Sequence, residues 1–343
     1  MQTIRICLVG FGNVGQAFAR LLLKEEDEIK DLYSVGFKVT AIATSQHGSA
    51  IDPAGIDLKK ALACLKDGQS IDILSKEKNP QDSCTLIKKS ESGILLENTP
   101  VNYTSGQPAL NHITTALNNS MHAITANKGP VLHAYQSLRE LANQKGKRFL
   151  FESSVMDGAP IFSLFRSALP VLHPSGFEGI LNSCTNLILE RMGKGESLDQ
   201  AVAYAHSIGI AETDPSGDID GWDAAIKVAI LVNVLMDWPI KLDQVSRVGI
   251  RQITPQQIQS AHKEGLTWKL VCQAERKGNE VIASVEPRKV SPQSPLFSIQ
   301  GTSSFVLFKS EILPGLGILE SNPGPQTTAY GLFSDLISVI RES

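Results

Sequence analysis

The sequence predicts an α/β protein: a doubly wound parallel sheet joined to an α+β domain whose sheet is mostly antiparallel. Three observations carry this expectation. A Gly-rich turn lies directly between a strand-like run and an amphipathic helix at the N-terminus. Strand-like and helix-like segments then alternate through about residue 150, the pattern of parallel βαβ units. After residue 152 the order becomes one strand, three helices and three consecutive strands, which suits an antiparallel sheet with one open face.

Residues 3–9 (TIRICLV) are a short apolar run, and QAFARLLLKE has apolar positions at helical spacing. FKVTAIAT (37–44) reads as a second strand. The stretch 51–94 is mixed, with PAGIDLKKALACL helical and much of the remainder a surface insertion. VNYTS (101–105) is a weak strand ahead of a helix over 108–118. HAITAN (122–127) is a strand, PVLHAYQSLRELANQ a helix with Pro130 near its first position, and RFLFESSV another strand. In the second half GFEGILNS reads as a strand, helices span 184–193, 197–208 and 221–236, and strands span 267–275, 280–286 and 303–309. TTAYGLFSDLISVI is a final amphipathic helix.

Composition narrows the class. The chain has 343 residues, 42% of them hydrophobic, and a net charge of −3 with no long block of one sign, so neither nucleic acid nor an anionic membrane is indicated. No apolar run approaches the roughly 20 residues of a membrane span. MQTIRICLVGFG is too quickly punctuated by glycine for a secretory signal. The five cysteines are scattered and form no C-x-x-C pair, which points to a reducing cytoplasm.

Gly10-Phe11-Gly12-Asn13-Val14-Gly15 matches G-x-G-x-x-G. In a Rossmann-type βαβ unit the first glycine permits the tight turn, the second lets backbone approach a pyrophosphate, and the third allows close helix–strand contact. An ordinary structural turn can also show three glycines; the position between strand and helix favours the dinucleotide. Thr44, Ser45 and Gln46 follow the second strand, where NAD specificity usually places a carboxylate. Without one, a 2′-phosphate is not repelled. The reading is NADP, with NAD possible because no arginine is at hand to grip the phosphate. On this basis residues 1–150 form a dinucleotide-binding domain onto which 311–343 packs back, and 151–310 form a catalytic and dimerisation domain.

The most informative stretch is GIAETDPSGDIDGWDAAIK (209–227). It sets Glu212, Asp214, Asp218, Asp220 and Asp223 before an apolar helix. With the helix starting near Gly221, Asp223 and Lys227 stand at i and i+4 on one face. On a surface such a pair contributes only about 0.3–0.5 kcal/mol. Here the helix continues as VAILVNVLM, so the pair sits where the helix enters a core. Desolvation disfavours a charged amine and makes it a usable proton donor or acceptor. A bland ion pair and a catalytic one both remain open from the residues alone.

The same stretch resembles the signature of homoserine dehydrogenases, in which G-[YI]-A-E-x-D-P leads to D-[IV]-x-G-x-D-A-x-x-K. Gly209, Ala211, Glu212, Asp214, Pro215, Asp218, Gly221, Asp223, Ala224 and Lys227 keep those positions. TANK (125–128), ESSVMDGAPI (152–161), GILNSCTNLIL (179–189) and Thr328-Ala329 ahead of Asp335 follow in the family's order, so the resemblance spans nearly the whole chain. It implies interconversion of L-homoserine and L-aspartate 4-semialdehyde by hydride transfer. Lys227 would be the general acid/base, Asp223 and Glu212 would hold the amino group and hydroxyl, and Asp218 would support the loop. Lys128 would lie near nicotinamide and substrate, although an exposed lysine after a strand is its plain reading. The backbone near Thr104 and Ser105 would pass along the cofactor. Carbonyl oxygens of Glu152, Val155, Asp157 and Ala159 would bind a monovalent cation, sodium or potassium. The resemblance also implies a place in threonine and methionine biosynthesis, and the open sheet face of the second domain suggests a homodimer built by pairing sheets across a two-fold axis.

Some positions depart from the pattern. The family's N-G-T-T-N reads Asn182-Ser183-Cys184-Thr185-Asn186, which narrows the pocket and replaces a hydroxyl with a thiol. A nucleophilic role for Cys184 is not expected, since hydride chemistry needs none. Asp157 stands where small residues are common, and Asn322-Pro323-Gly324-Pro325 replaces a glycine-rich turn. A dehydrogenase of another small hydroxy acid or hydroxy amino acid, or a non-catalytic dinucleotide sensor, stays open as an alternative. The chain stops after its last helix, so feedback inhibition by threonine through an added regulatory domain is not expected.

Overall fold

The computed structural model describes residues 2–341. The chain forms two compact units, one running to Pro160 and resuming at Gly324, the other spanning Ile161–Pro323. The first contains β1 (Gln2–Val9), α1 (Asn13–Lys24), α2 (Glu26–Tyr33), β2 (Val35–Ala43), β3 (Ser49–Ile51), α3 (Leu58–Lys66), α4 (Ser83–Lys89), β4 (Ile94–Glu97), α5 (Ala109–Asn118), β5 (His122–Thr125), α6 (Lys128–Gln144) and β6 (Phe149–Leu150). The second contains β7 (Gly176–Ile180), α7 (Ser183–Gly193), α8 (Leu198–Ser207), α9 (Ser216–Ile219), α10 (Trp222–Leu235), β8 (Ser246–Arg247), α11 (Pro255–Lys263), β9 (Thr267–Lys277), β10 (Glu280–Val290), β11 (Ser304–Lys309) and β12 (Leu316–Glu320). The last helix, α12 (Pro325–Arg341), belongs to the first unit.

The first sheet runs β3-β2-β1-β4-β5-β6 and is parallel except for β3 against β2. Its strands are apolar on both sides because both faces are covered. Ile6 and Leu8 meet Phe18 and Leu22 of α1 and Leu332 and Leu336 of α12. Cys7 and Val9 alternate to the opposite face, against Leu86 and Ile87 of α4 and Ala116 of α5. The winding reverses between β1 and β4, so the carboxyl ends of those two strands frame the crevice where such sheets bind ligands.

The second sheet runs β12-β11-β7-β9-β10-β8 and is antiparallel except for β8 against β10. Helix α10 packs on β9 and β10 and is buried on nearly every side. Such a helix reads as all-round apolar rather than amphipathic.

Several expectations shift. VNYTS is not a strand: Asn102 Oδ1 accepts the N–H groups of Thr104 (3.0 Å) and Ser105 (3.1 Å), which folds the segment into a turn. The strand there is β4, four buried residues too few to show a period. RFLFESSV keeps only β6 as strand, and Glu152–Ser154 form a 3-10 turn. The boundaries expected at 150 and 310 move to 160 and 323. β12 pairs with β11 and so holds residues up to Pro323 in the second unit. The 152–159 turn stays with the first, since Asp335 Oδ2 accepts the Glu152 N–H (2.8 Å) and Ser153 Oγ donates to the Thr328 carbonyl (2.7 Å).

Candidate active site

In the first unit the three glycines play three distinct parts. Gly10 has φ 93°, and a Cβ there would come within 2.4 Å of the Asn98 backbone. A Cβ at Gly15 would lie 2.6 Å from the Gly10 carbonyl oxygen. At Gly12 a Cβ would meet nothing within 4 Å, so open space lies before the N-terminus of α1. That terminus begins at Asn13 and Val14 without a side-chain cap, which leaves first-turn N–H groups for an anion.

Asn98 is a residue that sequence reasoning missed. Its backbone abuts Gly10, and both side-chain polar atoms are shielded from solvent with no partner among the described residues. A buried primary amide left so is costly unless a ligand meets it. These features fit a dinucleotide. After β2, Thr44 closes a short turn, its Oγ1 donating to the Gly48 carbonyl (2.9 Å) and accepting the His47 N–H (2.7 Å). Thr104 and Ser105 are exposed, with their N–H groups already taken by Asn102.

Glu97, the last residue of β4, is fully buried and was also overlooked. It accepts from Thr99 N (3.1 Å), the Thr99 hydroxyl and Thr125 Oγ1 (3.0 Å), with His112 Nδ1 at 3.5 Å. Asn127 caps α6 through the Gly129 N–H and donates to the carbonyls of Thr99 (3.0 Å) and Pro100 (3.3 Å). Lys128, half-buried, is therefore the first residue of a helix tied to the loop after β4.

The turn matching ESSVMDGAP carries Glu152, Val155 and Ala159 buried and Asp157 at φ 33°. Asp157 Oδ2 accepts from Thr327 Oγ1 (3.2 Å), and a Cβ at Gly158 would lie 2.4 Å from the Thr327 carbonyl oxygen. The turn is close-packed backbone, which is compatible with carbonyl ligation of a cation.

In the second unit Gly221 takes the left-handed conformation, φ 80°, and breaks α9 from α10. Asp223 then falls in the first turn of α10, where the helix dipole favours an anion. Lys227 Nζ lies 3.2 Å from Asp223 Oδ2, with side-chain exposures of only 15% and 10%. The same Nζ donates to the Leu181 carbonyl (2.7 Å), just beyond β7. Asn182 Nδ2 donates to Asp218 Oδ1 (2.6 Å) and Asp223 Oδ2 (3.0 Å). Burial, then the neighbouring Asp223 charge, raises the Asp218 carboxyl above the ordinary aspartate value. Burial, followed by the charge of Asp218, raises the Cys184 thiol, which donates to Asp218 and stays protonated. A thiol so held is no nucleophile.

Two family models divide the chain, a homoserine dehydrogenase NAD-binding domain over residues 10–152 and homoserine dehydrogenase over 160–337. A homoserine dehydrogenase of Methanocaldococcus jannaschii is 37% identical over 335 residues, covering 97% of this chain and 98% of that one. The chain belongs to the homoserine dehydrogenase family. An NAD(+)-dependent homoserine dehydrogenase of Pseudomonas canavaninivorans is 33% identical, covering 99% of this chain and 97% of its own length. A crystal structure of a Thiobacillus denitrificans homoserine dehydrogenase superposes with a TM-score of 0.84 at 27% identity, covering 99% of this chain and 74% of that one.

Within the homoserine dehydrogenase signature the structure sorts the five acids. Asp218 and Asp223 converge on Asn182, Lys227 on Asp223. Asp220 turns away to a bidentate pair with Arg251 (2.8 and 3.1 Å), and Asp214 accepts the Ser216 N–H (3.0 Å) to shape the loop. Glu212 is exposed on the loop ahead of α9 and is not brought into this cluster.

Proposed function

We propose that the protein interconverts L-homoserine and L-aspartate 4-semialdehyde with a nicotinamide dinucleotide. The observation that carries this reading is the amine of Lys227, nearly buried and held between a carboxylate and a carbonyl. Two of its three N–H bonds in the ammonium form are committed, to Asp223 and Leu181, which leaves the third for a substrate oxygen. In the reducing direction Lys227 gives a proton to the aldehyde oxygen as carbon gains a hydride. In the oxidising direction the neutral amine takes the hydroxyl proton as the C–H pair leaves. Positioned proton transfer of this kind contributes roughly 10²–10⁴-fold. Asp218 and Asp223 supply the negative charge that an α-ammonium group requires, and Glu212, on the exposed loop ahead of α9, is the further carboxylate assigned to substrate in this reading.

The cofactor, when bound, supplies or accepts the hydride. Gly10, Gly12 and Gly15 with the N–H groups of Asn13 and Val14 would receive its pyrophosphate, Thr44 its adenosine ribose, and Asn98 and Lys128 its other end. NADP is the preferred form in this reading, supported by the absence of a carboxylate at Thr44, Ser45 and Gln46; NAD is also accepted, as in the relative from Pseudomonas. Michaelis constants for the two cofactors test it, a lower value for NADP being expected and a clear NAD preference overturning it. A sodium or potassium ion on the carbonyls of Glu152, Val155, Asp157 and Ala159 belongs to the same proposal. Replacing both salts with a bulky organic cation should then lower the rate.

A homodimer built on the second sheet is supported by exposed apolar side chains on it, Ile282 of β10 and Leu319 of β12. Light scattering that returns the mass of one chain would overturn it. Among the described residues no helix is long and apolar enough to cross a membrane, and a cytoplasmic enzyme of threonine and methionine biosynthesis is the setting proposed.

A further inference from the structure

Asn182 stands where a side chain would serve only to cap α7, yet its hydrogen bonds go further. Its Oδ1 accepts the Thr185 N–H and the Thr185 hydroxyl, both at 2.8 Å. Its two N–H bonds then point in the opposite sense, one to Asp218 Oδ1 and one to Asp223 Oδ2. The side chain is 4% exposed, and all four of its hydrogen-bonding positions are used. One residue earlier, the Leu181 carbonyl receives Lys227. Two adjacent residues at the end of β7 therefore hold the amine and both carboxylates.

We infer that Asn182 is a positioning residue, a neutral clamp whose amide keeps Asp218 and Asp223 side by side, both ionised and at fixed angles to Lys227. The inference rests on the reading of Lys227 given above. Two like charges in a buried place repel, and one of them will take up a proton unless donors hold them. The groups facing Asp218 are Asp223 and Lys227 on α10, Cys184 and Asn182. Burial and Asp223 push its carboxyl up, while Asn182, Cys184 and Lys227 oppose that rise. Only an uncharged double donor serves both carboxylates at once without adding charge.

Two substitutions separate the clamp from the cap. Ser and Asp both cap helices well, so Asn182→Ser and Asn182→Asp keep an acceptor for the Thr185 N–H but lose the two donors. Asn182→Asp also adds a third carboxylate. Asn182→Ser should melt somewhat below the wild type and Asn182→Asp lower still, since a third buried carboxylate adds repulsion, while both should stay folded and bind NADPH unchanged by fluorescence. For homoserine, kcat/KM should fall about 10-fold in Asn182→Ser and more than about 100-fold in Asn182→Asp. The acid limb of the pH profile should move up by about one unit or more. Carbon-13 titration of the Asp218 carboxyl should show the same upward move whatever the substrate is. Wild-type protein inactive with homoserine would sink the functional reading alone, because the carboxyl titration would still test the clamp. An Asp218 titration unmoved in both variants would overturn the clamp.

Discussion

Lys227 Nζ lies 2.7 Å from the carbonyl oxygen of Leu181, a residue 46 positions earlier in the chain. The helical spacing of Asp223 and Lys227 would make a weak pair on any exposed helix. The Leu181 contact, together with burial, makes it a fixed one, because the amine is anchored from two elements at once. That anchoring holds the amine in one place beside Asp223.

The five acids of the signature should separate by experiment. Asp220→Asn removes a partner of Arg251 at the surface and should change stability by less than about 1 kcal/mol and turnover by less than about two-fold. Asp223→Asn removes the partner of a nearly buried amine and should lower kcat/KM by roughly 100-fold or more. Steady-state kinetics on the two variants decide it; equal effects would mean the buried cluster has no special standing.

Glycine substitutions should separate binding from folding. Gly12→Ala meets no atom and keeps an ordinary backbone, so it should melt like the wild type yet raise the dissociation constant for NADPH by about 10-fold or more. Gly15→Ala drives a methyl against the Gly10 carbonyl and should destabilise by about 1–3 kcal/mol. Fluorescence titration and thermal melts read the two effects; a Gly12→Ala protein with unchanged cofactor affinity would contradict this use of the turn.

His122, the first residue of β5, accepts the Arg148 N–H on Nδ1 (3.2 Å). Burial, with the charges of Lys147 and Arg148, lowers its pKa to about 4. The unfolded chain then binds more protons than the folded one between pH 6.5 and about 4. Stability from this group is full above pH 6.5 and falls as the solution is acidified through that window. His122→Asn keeps an acceptor and does not titrate. Denaturant titrations at pH 7 and pH 4.5 should show the wild type losing on the order of 1 kcal/mol relative to the variant. Parallel curves would refute it.

Lys269 of β9 is 4% exposed and donates to Asn186 Oδ1 (2.8 Å) and to the Ile299 carbonyl. Burial lowers its pKa to about 8, against the raising influence of Glu190. Between about 8 and 10.5 the unfolded chain is the more protonated, so stability from this amine rises with pH. Lys269→Met should cost about 1–3 kcal/mol at pH 7, since two acceptors lose their donor. The wild type's advantage should widen towards pH 10, by about 1.4 kcal/mol for each unit of pKa difference. A gap that narrows with rising pH would contradict the assignment.

The Gly-rich turn and the 209–227 stretch were legible because their chemistry is written in local spacing: glycines at 10, 12 and 15, and an acid and a lysine four apart. The part played by Asn182 was not, since its partners lie 36 and 41 residues away and the sequence marked it only as the first residue of the stretch 182–186. Glu97 and Asn98 were hidden by β4, whose four buried residues show no alternation, so the strand was sought at VNYTS instead. The last boundary moved because β12 is recognisable only through its pairing with β11.

The most direct test is the rise in absorbance at 340 nm when homoserine and oxidised cofactor are mixed with the wild-type protein and with Lys227→Ala. Turnover with homoserine by the wild type, and a fall of about 10²–10⁴-fold in the variant with NADPH binding intact, is the expected result. A variant that turns over homoserine as fast as the wild type would contradict the role given to Lys227.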